Sequence, residues 1–140
     1  MAGLVGIVLA LGVAAFARLV GLDRDRAFYP TALAVIAALY DLFAVMGEST
    51  RALLAESAVT AVFLLAVALG FKRDLRIIVV ALFAHGAFDF LHGNLIQNPG
   101  VPAWWPMFCL AYDATAGSCL AALLYFSAKA RSGDRYEALA

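Results

Sequence analysis

Asp41, Glu56, His85, Asp89 and Asp113 interrupt runs of Ala, Leu, Val, Phe and Ile. An ionisable side chain at membrane depth costs about 2.5–3.5 kcal/mol or more, so such groups face a bundle interior, a cavity or an ion path. The densest motif is His85-Gly86-Ala87-Phe88-Asp89-Phe90-Leu91-His92. Its His85, Asp89 and His92 follow i, i+4, i+7 spacing and share one helical face. Imidazole nitrogens and carboxylate oxygens are common Zn²⁺ ligands. These three are therefore candidate ligands of a divalent transition metal such as Zn. His85 and His92 lie roughly 10 Å apart along a helix axis. Either adjacent pair, His85 with Asp89 or Asp89 with His92, holds an ion more easily than all three together. Glu56, Asp113 or Asp41 would complete the shell, and an open position would let a bound water be activated for hydrolysis. The acids outside the shell, Glu56, Asp113 and Asp41, are the candidate catalytic groups, with Glu56 or Asp113 as general base.

Two other readings stay open on the same residues. The acids and histidines could handle protons or ions as part of a coupled transporter. They could also be neutral or hydrogen-bonded groups that only knit helices together in a structural or assembly protein, with Tyr40, Tyr112, Thr60 and Ser57 as partners. Enzyme or not is therefore left undecided by the residues alone. Other chemistries lack their motifs. There is no G-x-S-x-G nucleophile elbow, and no glycine-rich phosphate loop of either common pattern. Lys72 and Lys129 sit at span ends, which disfavours a buried Schiff base. Cys109 and Cys119 are ten residues apart in one helical run. That separates them by roughly 15 Å, too far for a disulfide with each other. Neither has a basic neighbour to make a thiolate.

The elements that must position these groups are membrane helices. Of the 140 residues, 65% are hydrophobic and 14% charged, and the mean hydropathy is +0.91. Soluble domains are nearer 45–50% apolar and about 25% charged. Net charge is zero and the basic residues form no stripe, so nucleic acid is not an expected partner. The chain reads as one all-α domain, a bundle of five transmembrane helices over about residues 2–20, 28–46, 50–71, 75–95 and 105–128. Each is near the ~20 residues that cross a hydrocarbon core. Short connections make neighbours antiparallel.

Nine of the ten basic residues follow spans one, three and five: Arg18, Arg24, Arg26, Lys72, Arg73, Arg76, Lys129, Arg131 and Arg135; only Arg51 lies on the other side. The positive-inside rule then puts the N-terminus outside and the C-terminus in the cytoplasm. Ala15-Phe16-Ala17 resembles a signal-peptide cleavage site, but positive charge follows the apolar run instead of preceding it. The first span is therefore expected to be a membrane helix. Ala2, Gly6, Ala10 and Ala14 recur on it every four residues, and Ala34, Ala37, Ala38 and Ala44 flank Asp41 on the second. Such small residues let helices approach closely in lipid.

Depth brings the polar groups together. Asp41 and Glu56 lie roughly 9–12 Å below the turn between spans two and three. His85, Asp89 and Asp113 lie roughly 9–15 Å below the loop between spans four and five. All five occupy one layer in the outer half of the bilayer. That loop contains Asn98-Pro99-Gly100-Val101-Pro102-Ala103, with Pro99-Gly100 suited to a type II turn. Trp104 and Trp105 fit an interfacial belt, and Pro106 the first turn of a helix. The loop reads either as a rigid hairpin or as a cap over the site. In the cap reading, Asn98, Trp104, Trp105 and Tyr112 line the substrate path, and a lipid or small molecule enters from the outer side. A homo-oligomer could supply a missing wall.

Tyr29-Pro30-Thr31, His85-Gly86 with Phe88-Asp89 and His92, Asn98 through Pro102, Trp104-Trp105-Pro106 and Phe108-Cys109 together resemble a family of small bacterial integral membrane proteins of unknown function. The resemblance covers about Phe28 to Leu124. It implies a multi-pass protein of the bacterial inner membrane and carries no activity. There is a looser similarity to intramembrane metal hydrolases with acidic and histidine ligands, whose usual seven spans and full motif set this chain lacks.

Overall fold

A computed structural model describes the backbone of residues 1–137 and the side chains of residues 1–131. The order is α1 (Ala2–Val20), a 3-10 turn (Leu22–Arg24), α2 (Phe28–Met46), α3 (Thr50–Lys72), α4 (Arg76–Leu95) and α5 (Trp105–Glu137). No strand occurs among the described residues. All five α-helices contain a window long and apolar enough to cross a membrane. The expected spans match within a residue or two, except that α5 runs on past Ala128 to Glu137. Its first part follows from the sequence, since Lys129-Ala130-Arg131 is polar but made of good helix formers.

Local chemistry sets the helix ends. α1 stops at Gly21, whose φ of 82° is the left-handed conformation that glycine adopts without strain. α3 starts at Ser49, whose hydroxyl oxygen accepts from the Ala52 N–H at 3.2 Å. Pro30 and Pro106 sit in the first turns of α2 and α5, where a missing N–H costs nothing.

α1 and α4 both pack on α5, α2 packs on α3, and α4 also touches α2 and α3. Small residues make this possible. Gly6 lies so close to α5 that a Cβ there would overlap the Phe108 carbonyl, and Ala10 and Ala17 are buried beside it on α1. Long apolar side chains such as Leu4, Val8, Leu54, Leu65 and Phe90 point outward instead. The outside is thus apolar, as lipid contact requires.

Connections tie the two ends. At one end the Arg26 guanidinium donates to the Phe71 and Gly70 carbonyls at 2.6 and 3.2 Å, closing the C-terminus of α3. At the other end Gly100 of the α4–α5 loop lies against the Phe43 carbonyl and Gly47, in the turn between α2 and α3. A side chain at Gly100 would overlap that carbonyl, so glycine alone fits. The interior divides accordingly. Toward the Arg26 end it is a continuous apolar core of Leu33, Phe63, Ile78, Leu82, Ala116 and Leu120. Toward the Gly100 end it is polar.

Candidate functional site

α4 supplies three inward-facing groups on one stripe: His85, Asp89 and His92, each at most 2% exposed. α5 supplies Asp113 and α3 supplies Glu56, both equally buried. α4 faces α5 closely at Gly86, where a Cβ would stand in ordinary contact with Asp113 and Leu110.

These groups form two centres. In the first, His85 Nδ1 is hydrogen-bonded to Asp113 Oδ2 at 2.7 Å and lies 3.3 Å from Asp89 Oδ2. One nitrogen and two carboxylate oxygens thus converge, all within 4.8 Å of one another. The Tyr40 hydroxyl donates to the other Asp89 oxygen at 2.8 Å. Phe63 stands edge-on to the His85 ring, with centroids 4.7 Å apart, and closes the apolar side. Asp89 Oδ2 and Asp113 Oδ1 are buried without a hydrogen-bond partner. The Asp89 oxygen is near His85 Nδ1, yet that nitrogen's single hydrogen is engaged by Asp113. Buried carboxylate oxygens left unpaired are costly and uncommon.

The second centre lies one to two turns nearer the loop. His92 Nε2 is 2.7 Å from Glu56 Oε1. The Asn98 amide donates to the same oxygen at 2.9 Å and to the Tyr40 carbonyl at 3.2 Å. Asn98 Oδ1 accepts from the Gly100 N–H, which stiffens the turn. The Tyr40 ring stacks on His92 at 4.2 Å between centroids. Tyr40 therefore joins the centres, through its hydroxyl to one and its ring and carbonyl to the other.

The sequence-derived residues are distributed unevenly over this arrangement. His85, Asp89 and Asp113 come together. His92, proposed as a ligand alongside His85, pairs instead with Glu56 in the second centre. Asp41 stands apart on the α2–α3 seam, half-buried, where the hydroxyls of Ser57 and Thr60 each donate to it at 2.6 Å. Asn98 reaches inward from the loop. Trp105 packs edge-on to Phe43 at 4.8 Å, while Trp104 is largely exposed. Tyr112 lines a groove of about 410 Å³ with Phe28, Thr31 and Val35, away from both centres. Tyr40 is the residue that sequence reasoning undervalued. It precedes Asp41, and the alanines around both gave no reason to turn Tyr40 inward ahead of the acid.

Comparison with known protein families, curated proteins and solved structures finds no match for this chain. The first centre can hold a divalent cation through His85 Nδ1, Asp89 and Asp113. For bonds of about 2.0–2.2 Å in a tetrahedral shell, ligand atoms stand roughly 3.3–3.6 Å apart. The His85–Asp89 edge, at 3.3 Å, has that length already. The His85–Asp113 edge, at 2.7 Å, is of hydrogen-bond length, so a metal would displace the shared proton and widen it.

Proposed function

We propose that this chain is a membrane-integral protein that binds a divalent transition metal such as zinc at His85, Asp89 and Asp113. The observation that carries the reading is the convergence of His85 Nδ1 with a carboxylate oxygen from each of Asp89 and Asp113, one oxygen of each acid being buried without a hydrogen-bond partner. A cation would satisfy an oxygen of each acid, and a proton shared between Asp89 and Asp113 is the competing way to pair them. Tyr40 orients the Asp89 carboxylate from outside the shell, as the partners of metal ligands commonly do. With three protein ligands and one position open, the metal would polarise a substrate or activate water, which fits an enzyme acting on a lipid or small molecule. Glu56 and His92, one layer nearer the loop, would handle the proton.

In the membrane the N-terminus faces outward and the C-terminus the cytoplasm, by the placement of the basic residues. The setting is the bacterial inner membrane implied by the family resemblance, and the loop around Asn98 covers the site from the outer side. A proton relay is the second reading. It is favoured by the contiguous hydrogen bonds from Asp113 through His85 and by the Asp89–Tyr40 bond. The apolar core of Leu33, Ile78, Leu82 and Leu120 interrupts any polar path to the other end, which favours a one-sided site over a relay.

Cobalt(II) loading tests the proposal. Wild-type protein freed of metal should develop the intense visible bands of a low-coordinate Co²⁺ site at one equivalent. His85→Ala and Asp89→Asn should not, while His92→Ala should. No spectrum from the wild type, or an unchanged one from His85→Ala, would contradict it.

A further inference from the structure

A third polar site lies at the opposite end of the bundle. Asp23, in the 3-10 turn after α1, is 8% exposed. Its Oδ2 accepts from the Arg18 guanidinium at 3.0 Å, while its Oδ1 is buried without a hydrogen-bond partner. The pair borders a cleft of about 350 Å³ between α1, the start of α2 and α5, which Tyr29, Cys119, Phe126 and Ser127 help to line. One water takes about 30 Å³, so the cleft has room for several waters or for a polar group of many atoms.

The charges define what fits. Asp23 lines the cleft, and its Oδ1 has almost no accessible surface, so the carboxylate must turn toward the cleft to accept from an N–H or O–H donor, where its charge favours a cation. Arg18 has five N–H donors, one of them used by Asp23, and its side chain is 70% exposed. Guanidinium groups favour phosphate. A ligand with an ammonium and a phosphate a few bonds apart complements both. The position of the cleft selects the source. It lies where α1 ends, three residues from Arg18 to Val20, which is headgroup level for a spanning helix. One wall carries Phe126, 65% exposed on the lipid-facing side of α5.

We propose that the Arg18–Asp23 cleft binds the headgroup of an aminophospholipid, with a primary ammonium on Asp23 Oδ1 and the phosphate on Arg18. The site is independent of the metal centre. It discriminates by hydrogen-bond donors: phosphatidylethanolamine has three N–H bonds and phosphatidylcholine has none.

The test measures lipid retention on the full chain in detergent by native mass spectrometry. Phosphatidylethanolamine, its N-methylated series and phosphatidylcholine are offered with identical acyl chains. Wild type should prefer the primary amine over the quaternary one by about tenfold or more, the scale of a charge-assisted hydrogen bond. Asp23→Asn should abolish the preference. Arg18→Gln should lower retention of the whole series. Ala122→Phe, which fills the cleft from α5 and leaves both charged residues in place, should also abolish the preference, so the test survives if Asp23→Asn fails to fold. Equal retention of the two extreme lipids, or a preference that survives in Ala122→Phe, would overturn the assignment. Soluble phosphoethanolamine displacing the lipid at equal concentration would overturn the lipid source.

Discussion

At the residue scale, Asp89 is the pivot. It lies 3.3 Å from His85 and accepts from Tyr40 at 2.8 Å, so its orientation depends on a hydroxyl contributed by another helix. Tyr40→Phe keeps the ring that stacks on His92 and removes that hydroxyl. It should lower stability by about 1–3 kcal/mol, the cost of leaving a buried acceptor unpaired. It should also weaken metal binding by about 10–100-fold, as loss of an outer-shell partner does. Thermal unfolding and competition with a chelating dye measure the two effects separately. Asp41 differs in kind. Its carboxylate accepts from Ser57 and Thr60 on the α2–α3 seam and does not reach His85. Asp41→Asn should leave the metal content unchanged, as elemental analysis of the variant would read. The sequence marked Asp41 as the unusual residue on α2 because charge is easier to notice than orientation. Which of two neighbouring residues turns inward depends on the rotation of the helix, and alanine-rich flanks on all sides do not specify it.

At the scale of elements, most of the fold was legible. Long, mostly apolar runs bounded by Gly21, Gly47-Glu48-Ser49 and the Pro99-Gly100 loop delimit helices by simple means, and the helices follow them. The face of α4 was legible too, because i, i+4, i+7 spacing leaves one choice. The partition of that face was not. His85 and His92 point the same way but meet different helices, α5 and α3, and only packing decides this. The loop carries a second lesson. Pro99-Gly100 reads as a turn, yet the glycine is also needed because it lies against the Phe43 carbonyl. Gly100→Ala should lift the loop from α2 and cost about 1–3 kcal/mol, as overpacking does. Asn98 would then lose Glu56, and hydrogen exchange across residues 94–103 should accelerate while α1 stays protected.

At the scale of the whole molecule, the interior is polar at one end and apolar at the other, inside an apolar exterior. Nine of ten basic residues flank the apolar end, and the proposed orientation accordingly puts that end in the cytoplasm and the buried polar centres toward the outer side. An epitope fused to the N-terminus should accordingly be reached in intact spheroplasts, and one at the C-terminus only after permeabilisation. The opposite labelling would invert the topology and place the loop-covered site on the cytoplasmic side. The metal itself is the central claim, and elemental analysis of protein purified without chelators tests it most directly. About one equivalent of a transition metal per chain is expected in the wild type, retained by Asp41→Asn and lost in the Asp89→Asn, Asp113→Asn double variant. A metal-free wild type that takes up none on reconstitution, or a double variant that keeps its full metal content, would contradict the account.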